Sequence, residues 1–273
     1  MHIKDDLLEG KNIKYMESPN RSGFFGSGQP DSIVIHYTAG RSAESSIRTL
    51  CNPATKASAH LVVGRNGNTA QLVPFNTIAW HAGRSSFKGR TGLNKYALGI
   101  EIDNAGRLTK GPGGYSAWFG GLYRDQEVIE ALHRNETTPS FWHRYDEAQI
   151  EAVLELCYLL AEAYPIKTIV GHEEIAPGRK IDPGPGFPLE KIRDLVLKRD
   201  RSEEGRAEEW PIHMAGVVNA SNLNIRSAPR LGAGTVADPL GKGTMVDILK
   251  ESNGWYEVDV ITRGWVKKEY IKT

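Results

Sequence analysis

The chain has little cysteine and no long apolar run. Only Cys51 and Cys157 occur in 273 residues, too few to define a disulfide framework or a redox compartment. Cys157 sits in an apolar helical pattern and reads as a buried, inert thiol. No stretch approaches the length of a membrane span. Charge of one sign is also missing: 34 Lys and Arg stand against 33 Asp and Glu, a formal charge of +1. That balance gives no reason to invoke nucleic acid or a membrane surface as a partner. Met1–Gly10 carries Lys4, Asp5, Asp6 and Glu9 and has no apolar core, so it does not read as a secretory signal. The expectation is synthesis in the cytoplasm, with any action outside it reached by a non-Sec route or by lysis.

Glycine is plentiful at 29 residues, which suggests many turns and much β structure. Two regions differ in character, and a charged stretch from Arg193 to Glu209 separates them. The expected division is a domain over 1–200, a linker over 201–211 and a small domain over 212–273. In the first region Ser32–Tyr37 is a β-branched run suited to a buried strand. Residues 59–63 and 69–73 flank Asn66-Gly67, a hairpin signal. Residues 97–103 and 166–170 are further strand candidates.

The best helix spans Glu147–Tyr164, capped by Asp146 with Gln149 reaching back, and shorter helices are expected at Ser42–Leu50 and Leu189–Leu197. Interleaved strands and helices imply an α/β domain: a mixed sheet flanked by helices. The stretch from Asn104 to Tyr145, rich in glycine and aromatics, reads as a long irregular insertion. It is either a functional loop or one tacked to the core by its aromatic residues. The last region, with Val217-Val218, Leu223–Ile225, Met245–Leu249, Trp255–Val258 and Trp265-Val266 between turn residues such as Asn253-Gly254, suggests a small all-β barrel.

The run from Gly171 to Pro185 follows a strand and is too rich in Pro and Gly to continue as helix or sheet. It presents His172, Lys180 and Asp182 from a rigid loop at a strand end, where sites are commonly built. A histidine and an aspartate there suit a zinc ion, and His36, ending its own strand, is the natural third ligand. Two neutral imidazoles and one carboxylate would leave an open fourth position, where bound water has its pKa lowered towards about 7. Such a site would make a nucleophile fit for an unactivated amide. Glu101 interrupts apolar neighbours in its strand and suits a base, while Lys180 suits an oxyanion partner. Taken alone, His36 reads as a hydrogen-bonded core histidine and Glu101 as a salt-bridge partner. Spacing leaves both readings open.

Five pieces occur in one order: Val34–Thr38, Ser58–Leu61, Trp80–Gly83, Leu98–Glu101 and His172–Pro185. Through them the block from Ile33 to Pro188 resembles the zinc N-acetylmuramoyl-L-alanine amidases of the amidase-2 type, related to bacteriophage T7 lysozyme and animal peptidoglycan recognition proteins. The resemblance implies zinc held by His36, His172 and Asp182, Glu101 as base or water-orienting carboxylate, and Lys180 as oxyanion partner. Other branches of the family use cysteine where this chain has Asp182. Trp80 and His81 correspond to a substrate-side motif, and His60 matches too, with a structural hydrogen bond as its other explanation. The implied reaction is hydrolysis of the amide between N-acetylmuramic acid and L-alanine in peptidoglycan or muropeptides. Asn222–Pro229 and Gly264–Val266 resemble bacterial SH3 domains, which implies a module for a cell-wall polymer. Two other readings follow: a non-catalytic peptidoglycan-binding protein, and a cytosolic amidase recycling anhydromuropeptides.

Overall fold

The computed structural model describes residues 1–197, 214–219, 222–230, 233–252 and 255–260. The expected linker over 201–211, the Asn253-Gly254 turn and the Trp265-Val266 strand lie outside the described residues. The chain divides into two compact units, Met1–Glu203 and Glu204–Thr273.

The first unit is built on a six-stranded sheet. Its strands are β1 (Ile13–Tyr15), β2 (Ser32–Tyr37), β3 (Leu61–Val63), β4 (Thr69–Gln71), β5 (Ala97–Ile102) and β6 (Thr168–Gly171), in the order β6-β2-β5-β3-β4-β1. All neighbours are parallel except the hairpin pair β3 and β4. The mixed sheet read from the pattern is therefore present. Its helices are α1 (Ala43–Leu50), α2 (Glu147–Ala163), α3 (His172–Ile175) and α4 (Leu189–Leu197). Ser42 caps α1 by accepting the Ser45 N–H.

Strand alternation assigns the two faces. Ile33 and Ile35 of β2, with Leu98, Ile100 and Ile102 of β5, form one core with Val153, Leu156 and Leu160 of α2 and Ile192 and Val196 of α4. Burial of each such side chain contributes about 1.5–3 kcal/mol, so this face anchors the sheet. Val34 of β2 and Ala97 of β5 belong to a separate cluster on the opposite face. His36 and Glu101 continue these two rows as directly paired neighbours. The helix-covered face thus holds the scaffold rigid while the other face presents chemistry.

Two expectations need correction. The 104–145 insertion is not an irregular loop: residues 107–111, 114–116, 122–123, 128–131 and 140–143 form a five-stranded antiparallel sheet. Its packing explains the aromatic content, since Tyr115, Phe119, Tyr123 and Phe141 lie against buried Leu108 and Val128. The 171–185 run also contains a single helical turn, α3, favoured by the Gly171 N–H donating to Glu174 Oε2 at 2.8 Å.

In the second unit, Met214–Val217, Met245–Ser252 and Trp255–Val260 form a three-stranded antiparallel sheet, and Asn222-Leu223 pairs with Leu240-Gly241. Val218, Leu240 and Val246 form its buried centre. The two cysteines are both free. No helix among the described residues is long and apolar enough to cross a membrane.

His60 precedes β3 in the middle of the first unit. It stacks between Phe25 and Phe75, its Nε2 donates to Thr77 O at 2.9 Å, and its Nδ1 accepts the Gly99 N–H at 2.9 Å. Burial lowers its pKa from 6.5 to about 4. The folded state therefore takes up this proton later than the unfolded chain as pH falls, so the contribution is present above pH 6.5 and is lost on acidification towards pH 4. Between pH 7 and pH 5 this one group should lower stability by about 2 kcal/mol. Denaturant unfolding in a chelating buffer checks it: His60→Gln should flatten the pH dependence by that amount, and an unchanged slope would contradict the assignment.

Candidate metal centre

The ends of β2 and β6 and the loop after α3 bring three residues together. His36 Nδ1 lies 2.9 Å from His172 Nδ1 and 3.0 Å from Asp182 Oδ2, and His172 Nδ1 is 3.0 Å from the same oxygen. All three residues are buried. They are the three that the sequence singled out, His36 from one strand end and His172 and Asp182 from the 171–185 run.

The outer nitrogens fix where the protons sit. His172 Nε2 faces Ala82 O at 3.1 Å, and His81 Nε2 faces Ala97 O at 3.0 Å. A carbonyl only accepts, so both nitrogens carry hydrogen. Neutral His81 is then an acceptor at Nδ1, which lies 3.0 Å from His36 Nε2. Hence His36 donates from Nε2 and its Nδ1 is bare. Burial and the neighbouring His172 lower the His36 pKa to about 4, which keeps that ring neutral near pH 7. Burial opposes ionisation of Asp182, yet its contacts with His172 and His36 hold the carboxyl well below the usual range.

With the His172 hydrogen on Nε2 against Ala82 O, the two Nδ1 atoms and Asp182 Oδ2 point at one another. This arrangement calls for a cation. The donor set is two nitrogens and one oxygen, which suits zinc, and the spacing lets one ion at about 2.0–2.2 Å reach all three. Hydrogen bonds from metal-ligating histidines to the groups behind them are the usual means of fixing their tautomer, and here His81 Nδ1 and Ala82 O accept them, with Ala97 O fixing His81 in turn.

Gly99 makes this possible. A Cβ there would sit 2.4 Å from His81 Cγ, so any side chain in the middle of β5 would expel His81 from under His36. Both nitrogens of His81 are engaged, and its ring is buried. It therefore stands behind His36, with both ring nitrogens in hydrogen bonds. Trp80, its neighbour, is half-buried and donates its indole N–H to Ser22 Oγ at 2.8 Å.

Glu101 stands beside His36 across the strand pair. Its Oε2 is buried and has no hydrogen-bond partner. Burial and the Asp182 charge push its carboxyl well above the usual range, while Lys180 pulls it down. A carboxyl held so is biased towards its protonated form, which suits proton exchange with a bound molecule. Lys180 is half-buried on the same loop and acts electrostatically on both Glu101 and His36.

Two residues of this region escaped the sequence reading. Glu173, between the ligand His172 and the rest of α3, is buried, and His133 of the insertion places Nε2 2.8 Å from Glu173 Oε2. The available signal was a carboxylate adjoining a candidate ligand and a histidine within a run of aromatics.

Comparison with known proteins fits this geometry. A family profile described as N-acetylmuramoyl-L-alanine amidase matches residues 26–185, and one described as bacterial SH3 domain matches residues 221–272. Among curated relatives, N-acetylmuramoyl-L-alanine amidase AmiD of Escherichia coli K12 is 33% identical over 202 residues, 68% of this chain and 63% of that protein. The 1,6-anhydro-N-acetylmuramyl-L-alanine amidase AmpD of the same strain is 31% identical over 145 residues, 52% of this chain and 60% of that protein. The chain thus spans about three fifths of these relatives' length. A crystal structure of a selenomethionine derivative of AmpD aligns with a TM-score of 0.50 at 26% identity, covering 72% of this chain and 99% of that one. The chain belongs to the N-acetylmuramoyl-L-alanine amidase family and carries a bacterial SH3 domain at its C-terminal end.

Proposed function

We propose that this protein hydrolyses the amide bond between N-acetylmuramic acid and L-alanine in peptidoglycan or muropeptides. The observation that carries the reading is the convergence of the bare His36, His172 and Asp182 atoms beside the unpartnered Glu101 carboxyl. His36, His172 and Asp182 would hold zinc, which when bound supplies Lewis-acid polarisation and a water of lowered pKa.

The protein's own groups do the rest. Glu101 takes the proton of the attacking water and returns it to the departing amine of L-alanine, a role its raised pKa suits. The Lys180 ammonium offsets the negative charge that develops on the carbonyl oxygen. His81 acts through His36 by holding its tautomer, and we assign Trp80 to the substrate side of the centre. The SH3 domain would bind a cell-wall polymer and raise the effective concentration of catalytic domain at its substrate.

A second reading keeps this chemistry with a soluble anhydromuropeptide as substrate, favoured by the likeness to the 1,6-anhydro-N-acetylmuramyl-L-alanine amidase. Mass spectrometry of purified sacculi, and separately of a soluble anhydromuropeptide, tests both. Free stem peptides beginning at L-alanine should appear, vanish on chelation and return with zinc. Their absence from both substrates, with zinc bound, would sink the reading. Faster turnover of sacculi favours the wall, and faster turnover of the soluble compound favours recycling.

Variants separate the roles. His172→Ala and Asp182→Ala should lose zinc and activity together. Glu101→Gln should keep zinc while kcat falls by roughly 10²–10⁴, and normal turnover would remove Glu101 from its role. Deleting 212–273 should spare small muropeptides and slow the attack on sacculi, whereas equal loss or no loss on both would count against targeting.

A further inference from the structure

The inserted sheet grips the loop that carries two of the three candidate ligands. His133 is fully enclosed, and its Nδ1 accepts the Asn135 N–H at 3.2 Å, so the neutral ring carries its hydrogen on Nε2 and donates it to Glu173 Oε2 at 2.8 Å. The same oxygen accepts the Gly184 N–H at 3.1 Å, and the Glu173 N–H donates to Asp182 O at 2.8 Å. Asn135 Nδ2 donates to Glu173 O at 3.2 Å. Glu173 follows the ligand His172, and Gly184 lies two residues beyond the ligand Asp182. One carboxylate therefore ties both ligand segments to the insertion.

Packing closes the grip from the other side. Trp142, a buried residue of the inserted sheet, stacks on His133 with ring centroids 5.6 Å apart and planes at 19°. A Cβ on Gly184 would meet the Trp142 ring at 2.9 Å, and Gly184 has φ +74°, which favours glycine on a second count. Tyr145 donates its hydroxyl to Pro183 O at 2.7 Å, and Arg134 pairs with Glu174 at 2.6 Å.

We propose that the 104–145 insertion is a brace for the metal centre, and that the His133–Glu173 hydrogen bond is the positioning contact that sets the distance between His172 and Asp182. This deepens the zinc reading above and depends on it. His133 touches no ligand atom. It acts by preorganising the pair, so its effect lies on metal affinity as well as on turnover.

The test uses the full-length chain and zinc alone, titrated in competition with a chromophoric chelator, with the melting of the metal-free protein followed alongside. His133→Ala should weaken zinc binding by about 10-fold or more, as removal of outer-shell partners typically does, while the metal-free protein still unfolds cooperatively. His133→Gln, which keeps a donor on a side chain of similar reach, should restore most of the affinity. Arg124→Ala, at an exposed ion pair in the same insertion, should bind zinc as the unaltered chain does. If His133→Ala does not fold, Asn135→Ala is read in its place and should weaken zinc in the same direction. A folded His133→Ala chain with unaltered zinc affinity, or a glutamine variant as weak as the alanine one, would overturn the brace. Failure of the unaltered chain to bind zinc would instead overturn the metal reading on which it stands.

Discussion

Two imidazole nitrogens and a carboxylate oxygen lie within 3.0 Å of one another in a buried place, each imidazole fixed by a hydrogen bond at its other nitrogen. Gathering polar atoms so closely in a poorly solvated site has a desolvation cost that a shared cation would offset. The surrounding structure is arranged to hold the three atoms together regardless. Ala97 O and Ala82 O set the tautomers, Gly99 leaves room for His81, and the α2 and α4 core keeps the strands beneath from yielding.

The same burial that bares the ligands tunes their neighbours. Glu101 shares the desolvated surroundings and the field of Asp182, so its carboxyl is pushed up, while Lys180 moderates that push. Two carboxylates about one centre are thereby driven in opposite directions. Asp182 is held towards its ionised form, and Glu101 is biased towards its protonated one. That division of labour is the general signature of paired acids with different duties. It arises here from which contacts each carboxylate has: Asp182 faces two imidazoles, and Glu101 Oε2 faces no partner in the protein.

Much of this was legible in the sequence. The β-branched run at Ser32–Tyr37, the Asn66-Gly67 turn and the periodicity of Glu147–Ala163 each yielded the expected element, because hydrophobic period and turn chemistry agree there. The convergence of His36, His172 and Asp182 was legible because each stands at a strand end or on a Pro/Gly-rich loop. The insertion was not. Its strands are two to five residues long and paired with one another, so their alternation is too brief to stand out from a glycine-rich loop. His81 was placed on the substrate side by the resemblance; its contact with Gly99 of a distant strand, which seats the ring in the interior, had no local signal. The His133–Glu173 pair spans 40 residues, and nothing local in either segment announces the other.

X-ray absorption at the zinc edge, on protein loaded with one equivalent of zinc, tests the central claim most directly. The account predicts a shell of nitrogen and oxygen neighbours only, at about 2.0–2.2 Å, with the outer-shell scattering of two imidazoles that disappears in part when His36 or His172 is replaced. A sulfur neighbour, a shell without imidazole scattering, or a spectrum unchanged in the His36→Ala and His172→Ala proteins would contradict the assignment of these atoms as a metal centre.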